Sequence, residues 1–121
     1  MNNILFVFLG GGLGSVARYG VSEFVRTNFR SSFPIATLFS NVISCAILAF
    51  TITYLSQRTE ISIGARSFII VGICGGFSTF STFSFETVEL IRAGNAALAI
   101  TNILISVTVC VALVYFLTKQ A

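Results

Sequence analysis

The run Gly75-Gly76-Phe77-Ser78-Thr79-Phe80-Ser81-Thr82-Phe83-Ser84-Phe85-Glu86 lies inside a long apolar segment, yet it carries five hydroxyls, four phenyl rings and a carboxylic acid. Two glycines open it. In a hydrophobic stretch of membrane length, polar and ionisable side chains face a bundle interior or a pathway rather than lipid. The remainder of the chain reads as scaffolding that buries this run.

The 121 residues are 55% hydrophobic and 9% charged, with neither His nor Trp, and the mean hydropathy is +0.96. A soluble domain carries about 25% charged residues, so this inventory could not cover a water-facing surface. The class is an all-α integral membrane protein, one domain over 1–121. The net charge of +3 is scattered, whereas nucleic-acid binding wants a basic patch or stripe. Cys45, Cys74 and Cys110 fall in three different apolar stretches with no His beside them. That pattern points away from zinc and disulfides and toward small buried hydrophobes. The N-terminus lacks the basic n-region and cleavage site of a signal peptide, so the first span is expected to be retained.

A spanning helix needs about 20 mainly apolar residues, and the punctuation cuts the chain into four: about 4–25, 34–55, 64–91 and 96–117. Arg26, Asn28, Arg30 and the Ser31-Ser32-Phe33-Pro34 turn close the first. Pro34 suits the first position of the second helix. A short polar loop from Ser56 to Ile63 precedes the third span, and Arg92-Ala93-Gly94-Asn95 stops it. Gly10 and Gly14 share one face of the first helix, where another backbone can approach closely. A phosphate loop is excluded there, since no strand precedes the glycines and no Lys follows.

Four spans put both termini on one side. That side, with the second loop, carries Arg58, Arg66 and Lys119; the other carries Arg26, Arg30 and Arg92. The positive-inside rule orients a chain through an excess of Lys and Arg, and here there is none. Insertion in both orientations follows, and two opposed copies could form an antiparallel dimer.

Three helices bear aligned polar groups. Thr37 and Asn41 are four apart, as are Asn102, Ser106 and Cys110. In the third span, Gly72, Gly75 and Gly76 precede hydroxyls that compete for backbone hydrogen bonds, so a break is expected near Gly75–Thr79. Freed carbonyls there are hard ligands for a small cation. Phe80 and Phe83 are neighbours on one face, and their positive edges suit a small anion. Arg18 either snorkels toward the interface or anchors a neighbouring carbonyl or carboxylate; Glu86 pairs with Arg18 or accepts hydrogen bonds from the break.

The third-span run resembles the signature of the Fluc (CrcB-type) fluoride channels. So do Gly11-Gly12-Leu13-Gly14-Ser15-Val16-Ala17-Arg18-Tyr19 and Pro34-Ile35-Ala36-Thr37-Leu38-Phe39-Ser40-Asn41. The resemblance implies a dual-topology antiparallel homodimer with two fluoride pores and a central structural Na⁺ on the Gly75 and Ser78 carbonyls. It implies that Phe80 and Phe83 turn ring edges toward fluoride, that Asn41 is the pore amide, and that Thr37, Ser81 and Thr82 form a hydroxyl track. Asn102 and Ser106 would be the contacts from the fourth helix. Ser78 stands where Thr is frequent in the family, and Asn102 where some relatives carry a larger side chain such as Tyr. The implied activity is passive, fluoride-selective export across the inner (plasma) membrane of a microbial cell. A small multidrug-type exporter would need an acid deep in helix one, which has none before Glu23. A non-transporting assembly protein would not need aligned polar stripes. An enzyme is disfavoured, since the chain has no nucleophile–base pair or metal cluster.

Overall fold

The structure is a computed structural model that describes residues 2–57 and 61–119. Its elements are α1 (Asn2–Asn28), α2 (Ile35–Ser56), α3 (Ile63–Arg66), a π-helical run π1 (Ser67–Cys74), the single turn α4 (Gly75–Phe77), α5 (Phe80–Arg92) and α6 (Ala96–Leu117). Four stretches, Asn3–Asn28, Ile35–Leu55, Ile63–Arg92 and Ala96–Leu117, are long and apolar enough to cross a membrane. Arg58 and the centre of the loop expected from Ser56 to Ile63 lie outside the described residues.

Local chemistry sets the ends. α1 runs through Arg26 to Asn28 instead of stopping before them, because side chains close its last turn. Thr27 Oγ1 donates to Glu23 O at 3.0 Å, Asn28 Nδ2 donates to Phe24 O at 2.8 Å, and Arg26 pairs with Glu23 at 2.6 Å. Pro34 is the N-cap of α2 rather than its first helical residue, and its carbonyl accepts the Leu38 N–H at 3.2 Å. After α5 the chain turns through Gly94 at φ 82°. Asn95 N–H then donates to Leu90 O at 2.8 Å, and Gly94 N–H to Ile91 O at 3.1 Å. That pair of bonds is a Schellman motif, and its left-handed position favours glycine.

The two halves of the third span have different neighbours. π1 and α4 lie against α1, α5 lies against α6, and α2 packs on both α6 and π1. The seam with α1 is built of glycine. A Cβ on Gly10 would collide with Phe68 O, one on Gly14 with Ile73 O, and one on Gly76 with Gly11 O. Gly72 is equally confined: a Cβ there would lie 2.8 Å from the Gly10 Cα. Backbone therefore meets backbone, as small residues permit in membrane helices. Gly12 meets nothing within 4 Å.

That contrast is testable. Gly14→Ala is expected to lower stability by about 1–3 kcal/mol, the usual effect of overpacking, while Gly12→Ala leaves it unchanged. Thermal unfolding of the detergent-solubilised protein measures both, and equal behaviour of the two variants would contradict a glycine seam.

Candidate functional site

The third span breaks at two residues. Ser78 (φ −80°, ψ 158°) and Thr79 (φ −153°, ψ 119°) are extended between α4 and α5. The break falls within the expected stretch, but the glycines do not make it: Gly72, Gly75 and Gly76 all stay helical.

Asn41 holds the break open. Its Oδ1 accepts the Thr79 N–H at 2.7 Å, and its Nδ2 donates to Thr79 O at 3.3 Å. One side-chain amide thus satisfies both polar groups of a backbone that has left the helical ladder. Thr79 Oγ1 caps α5 by accepting the Thr82 N–H at 3.1 Å; it donates to Thr82 Oγ1 at 3.1 Å and lies 3.3 Å from Ser81 Oγ. Behind the break, Ser44 Oγ, Ser78 Oγ and Ser78 N–H all donate to Cys74 O, at 2.8, 2.7 and 3.0 Å.

These bonds have a second effect. In an unbroken α-helix the Thr79 N–H would reach Gly75 O, and the Thr82 N–H would reach Ser78 O. With both donors diverted, the Gly75 and Ser78 carbonyls are released from the ladder. Arg18 takes the carbonyl between them, donating from Nε to Gly76 O at 3.1 Å. Of the two partners open to Arg18, the structure selects the carbonyl. Glu86 is not paired with Arg18: its Oε1 is buried without a hydrogen-bond partner, and Thr37 is its neighbour.

The break opens onto a cavity of about 300 Å³ lined by Asn41, Phe80, Phe83, Ser106, Cys45 and Cys110, with Ser78 and Thr79 at its edge. Phe80 and Phe83 are tilted at 41° with centroids 5.7 Å apart. Phe83 is buried, but Phe80 is 78% exposed. Among the described residues no charged side chain lines this cavity. Ser81 and Thr82 belong to the hydroxyl chain at the start of α5. Glu86, further along α5, borders a second cavity of about 530 Å³ that also takes in Arg26 and Arg30.

Asn102 stands apart from the cavity. It is 1% exposed, its Nδ2 donates to Thr87 Oγ1 at 3.0 Å, and its Oδ1 accepts from Ser106 Oγ at 3.1 Å. Thr87 Oγ1 donates in turn to Phe83 O at 2.7 Å. This chain ties α6 to the backbone beneath the Phe83 ring. Sequence reasoning assigned no role to Thr79 or Ser44, which bond at the break, or to Ser40, which is fully buried on α2. The spacing of Thr37, Ser40 and Ser44 along one face of α2 could have signalled the last two.

Fold and site together define a small multi-pass membrane protein with a largely apolar cavity, holding a few polar groups, at a helix break. The chain belongs to the CrcB family: residues 5–117 match the family described as CrcB-like protein, Camphor Resistance (CrcB). It is 44% identical over 115 residues to the fluoride-specific ion channel FluC of Shewanella sediminis (strain HAW-EB3), covering 95% of this chain and 92% of the relative. It is 40% identical over 111 residues to the protein of the same name from Coxiella burnetii (strain CbuK_Q154), covering 91% of this chain and 90% of the relative. These relatives are named as ion channels, not as enzymes.

The buried chain on α6 gives a second test. Asn102→Ala takes the acceptor from the buried Ser106 hydroxyl and the incoming donor from Thr87, which keeps its bond to Phe83 O, and a stability loss of about 1–3 kcal/mol is expected. An unchanged thermal transition would remove that structural role.

Proposed function

We propose that this chain is a passive fluoride-selective channel that relieves a cell of toxic fluoride across its inner (plasma) membrane. The observation that carries this reading is the gathering of Asn41, Phe80 and Phe83 around one uncharged cavity at the break of a spanning helix. The names of the relatives agree with it.

The chemistry runs as follows. A small anion entering the cavity sheds water and needs donors in return. One N–H of the Asn41 amide is engaged with Thr79 O; the amide carries a second. Phenyl edges bear partial positive charge, so Phe80 and Phe83 attract the ion without a formal cation. A Lys or Arg at this point would hold the ion, and conduction requires sites weak enough to leave. Ser81, Thr82 and Thr37 continue the polar surface along α5 and α2. The Ser106 proton is engaged with Asn102, so Ser106 serves the anion only after its hydroxyl rotates. Hydrogen fluoride enters as the neutral acid and dissociates in a more alkaline interior. An open anion pathway is then sufficient, with no coupled energy source.

The working unit is an antiparallel homodimer with two pores. Phe80 is largely uncovered, Ser81 is exposed mid-span, and nothing lies within 4 Å of the Gly75 Cβ position. Hydroxyls at this depth belong against protein rather than lipid, and a second chain supplies the cover. The even division of Lys and Arg between the two sides favours opposed copies. The released Gly75 and Ser78 carbonyls fit a structural Na⁺, because hard oxygen donors suit hard cations. Four such carbonyls, two from each chain, would hold it, and its charge would offset their converging dipoles.

The test is efflux from liposomes, followed in parallel with fluoride and chloride electrodes. Fluoride loss with chloride retained is expected, without a proton gradient. Phe80→Leu and Phe83→Leu are each expected to slow fluoride at least tenfold, about 1.4 kcal/mol of barrier, while the dimer persists. Asn41→Asp is expected to abolish flux, since a carboxylate repels the anion and cannot donate to Thr79 O. No fluoride loss from well-reconstituted protein would overturn the channel reading. Replacing Na⁺ by a bulky organic cation is expected to weaken the dimer on gel filtration; an unchanged profile would remove the ion from the assembly.

A further inference from the structure

The two cysteines of the cavity wall have no part in the pathway above. Cys45 follows Asn41 by one turn on α2, and Cys110 follows Ser106 by one turn on α6. All four residues line the same cavity. Two columns therefore face each other across the α2–α6 interface, an amide and a hydroxyl at one level and two thiols about 5.4 Å further along. Both thiols line that one cavity and are half-buried rather than sealed. Cys74, by contrast, is buried at the α2–π1 contact and does not line the cavity.

We propose that Cys45 and Cys110 form a two-thiolate site for a soft divalent d¹⁰ cation that accepts linear coordination, with Hg²⁺ the representative. Thiolates select soft metals. Among the described residues no group of three or more His, Cys, Asp or Glu could hold a metal, so the four-ligand shell of structural zinc cannot be assembled within the chain. Charge decides between valences. Two S–H bonds release their protons to water in the cavity, two S–Hg bonds form, and the metal loses its water ligands. The product, one Hg²⁺ with two thiolates, is neutral. A monovalent ion on the same ligands would leave a net negative charge in an uncharged wall, where desolvation is costly. The bound ion would bridge α2 to α6 one turn from Asn41 and Ser106, narrowing the cavity.

The site is read from the thiols and does not rest on the fluoride reading. Its test counts metal directly, so a chain that conducts nothing still decides it. The purified full-length protein is loaded with Hg²⁺, washed with excess 2-mercaptoethanol, desalted and analysed by mass spectrometry of the retained metal. Wild type and Cys74→Ala are expected to keep one ion per chain. Cys45→Ala and Cys110→Ala are expected to bind ~10²–10⁴-fold more weakly, because the second thiol acts at high effective concentration. Cys45→Ser and Cys110→Ser, closer in size to the native residues, repeat the comparison should the alanine variants fail to fold. Retention by the Cys45 or Cys110 variants, or loss in Cys74→Ala, would overturn the assignment.

Discussion

The structure hangs on one side-chain amide. A backbone peptide that leaves its helix inside a bilayer strands a donor and an acceptor, each worth several kcal/mol if unsatisfied. Asn carries both complementary groups on a single rigid plane, and Asn41 presents them to both ends of residue Thr79. Much else follows from that contact. It fixes where α5 begins, so that the Thr79 hydroxyl caps it. It aims Phe80 and Phe83 into the cavity wall. It also frees the carbonyls of Gly75 and Ser78, because the N–H groups that should have reached them are spent elsewhere.

The spans were legible because charges, Pro34 and Gly94 punctuate an otherwise apolar chain. The break was legible as a region, and the competing hydroxyls as part of its cause; the part of the glycines and the Asn41 contact were not. Three glycines suggested flexibility, whereas Gly72 and Gly76 are small because α1 lies on them. The hydroxyls and a remote Asn do the breaking. A contact between residues 41 and 79 leaves no local signature, and neither does the π-helical run Ser67–Cys74. Arg18 illustrates the same limit: the sequence left a carbonyl and a carboxylate open as partners, and geometry brings it to a carbonyl. On α6 the polar spacing of Asn102 and Ser106 was plain. The direction of their hydrogen bonds, toward Thr87 and each other, depends on how α5 is rotated.

The site sets a few polar groups in a largely apolar wall, without formal charge among the described residues. Among the described residues, the charged groups that border cavities, Arg26, Arg30, Glu86 and Glu89, sit at other spaces than this one. The constricted region is left to amide, hydroxyl, phenyl and thiol. In low dielectric such neutral groups interact strongly yet bind a single ion less tightly than an opposing charge would. A wall of this kind is suited to passage, and under our proposal its two thiols would add an affinity of a different sort.

The glycine seam has a consequence for biogenesis. It joins Gly10 and Gly14 to backbone synthesised about 60 residues later, which at ~5–20 residues per second is a delay of roughly 3–12 s. During that interval α1 stands in the bilayer with its closest-fitting neighbour not yet made. Its glycine face is shaped for a backbone that has yet to be made. The first helix therefore commits to an orientation before the contact that locks it exists, and the late arrival of residues 68–77 makes that commitment permanent.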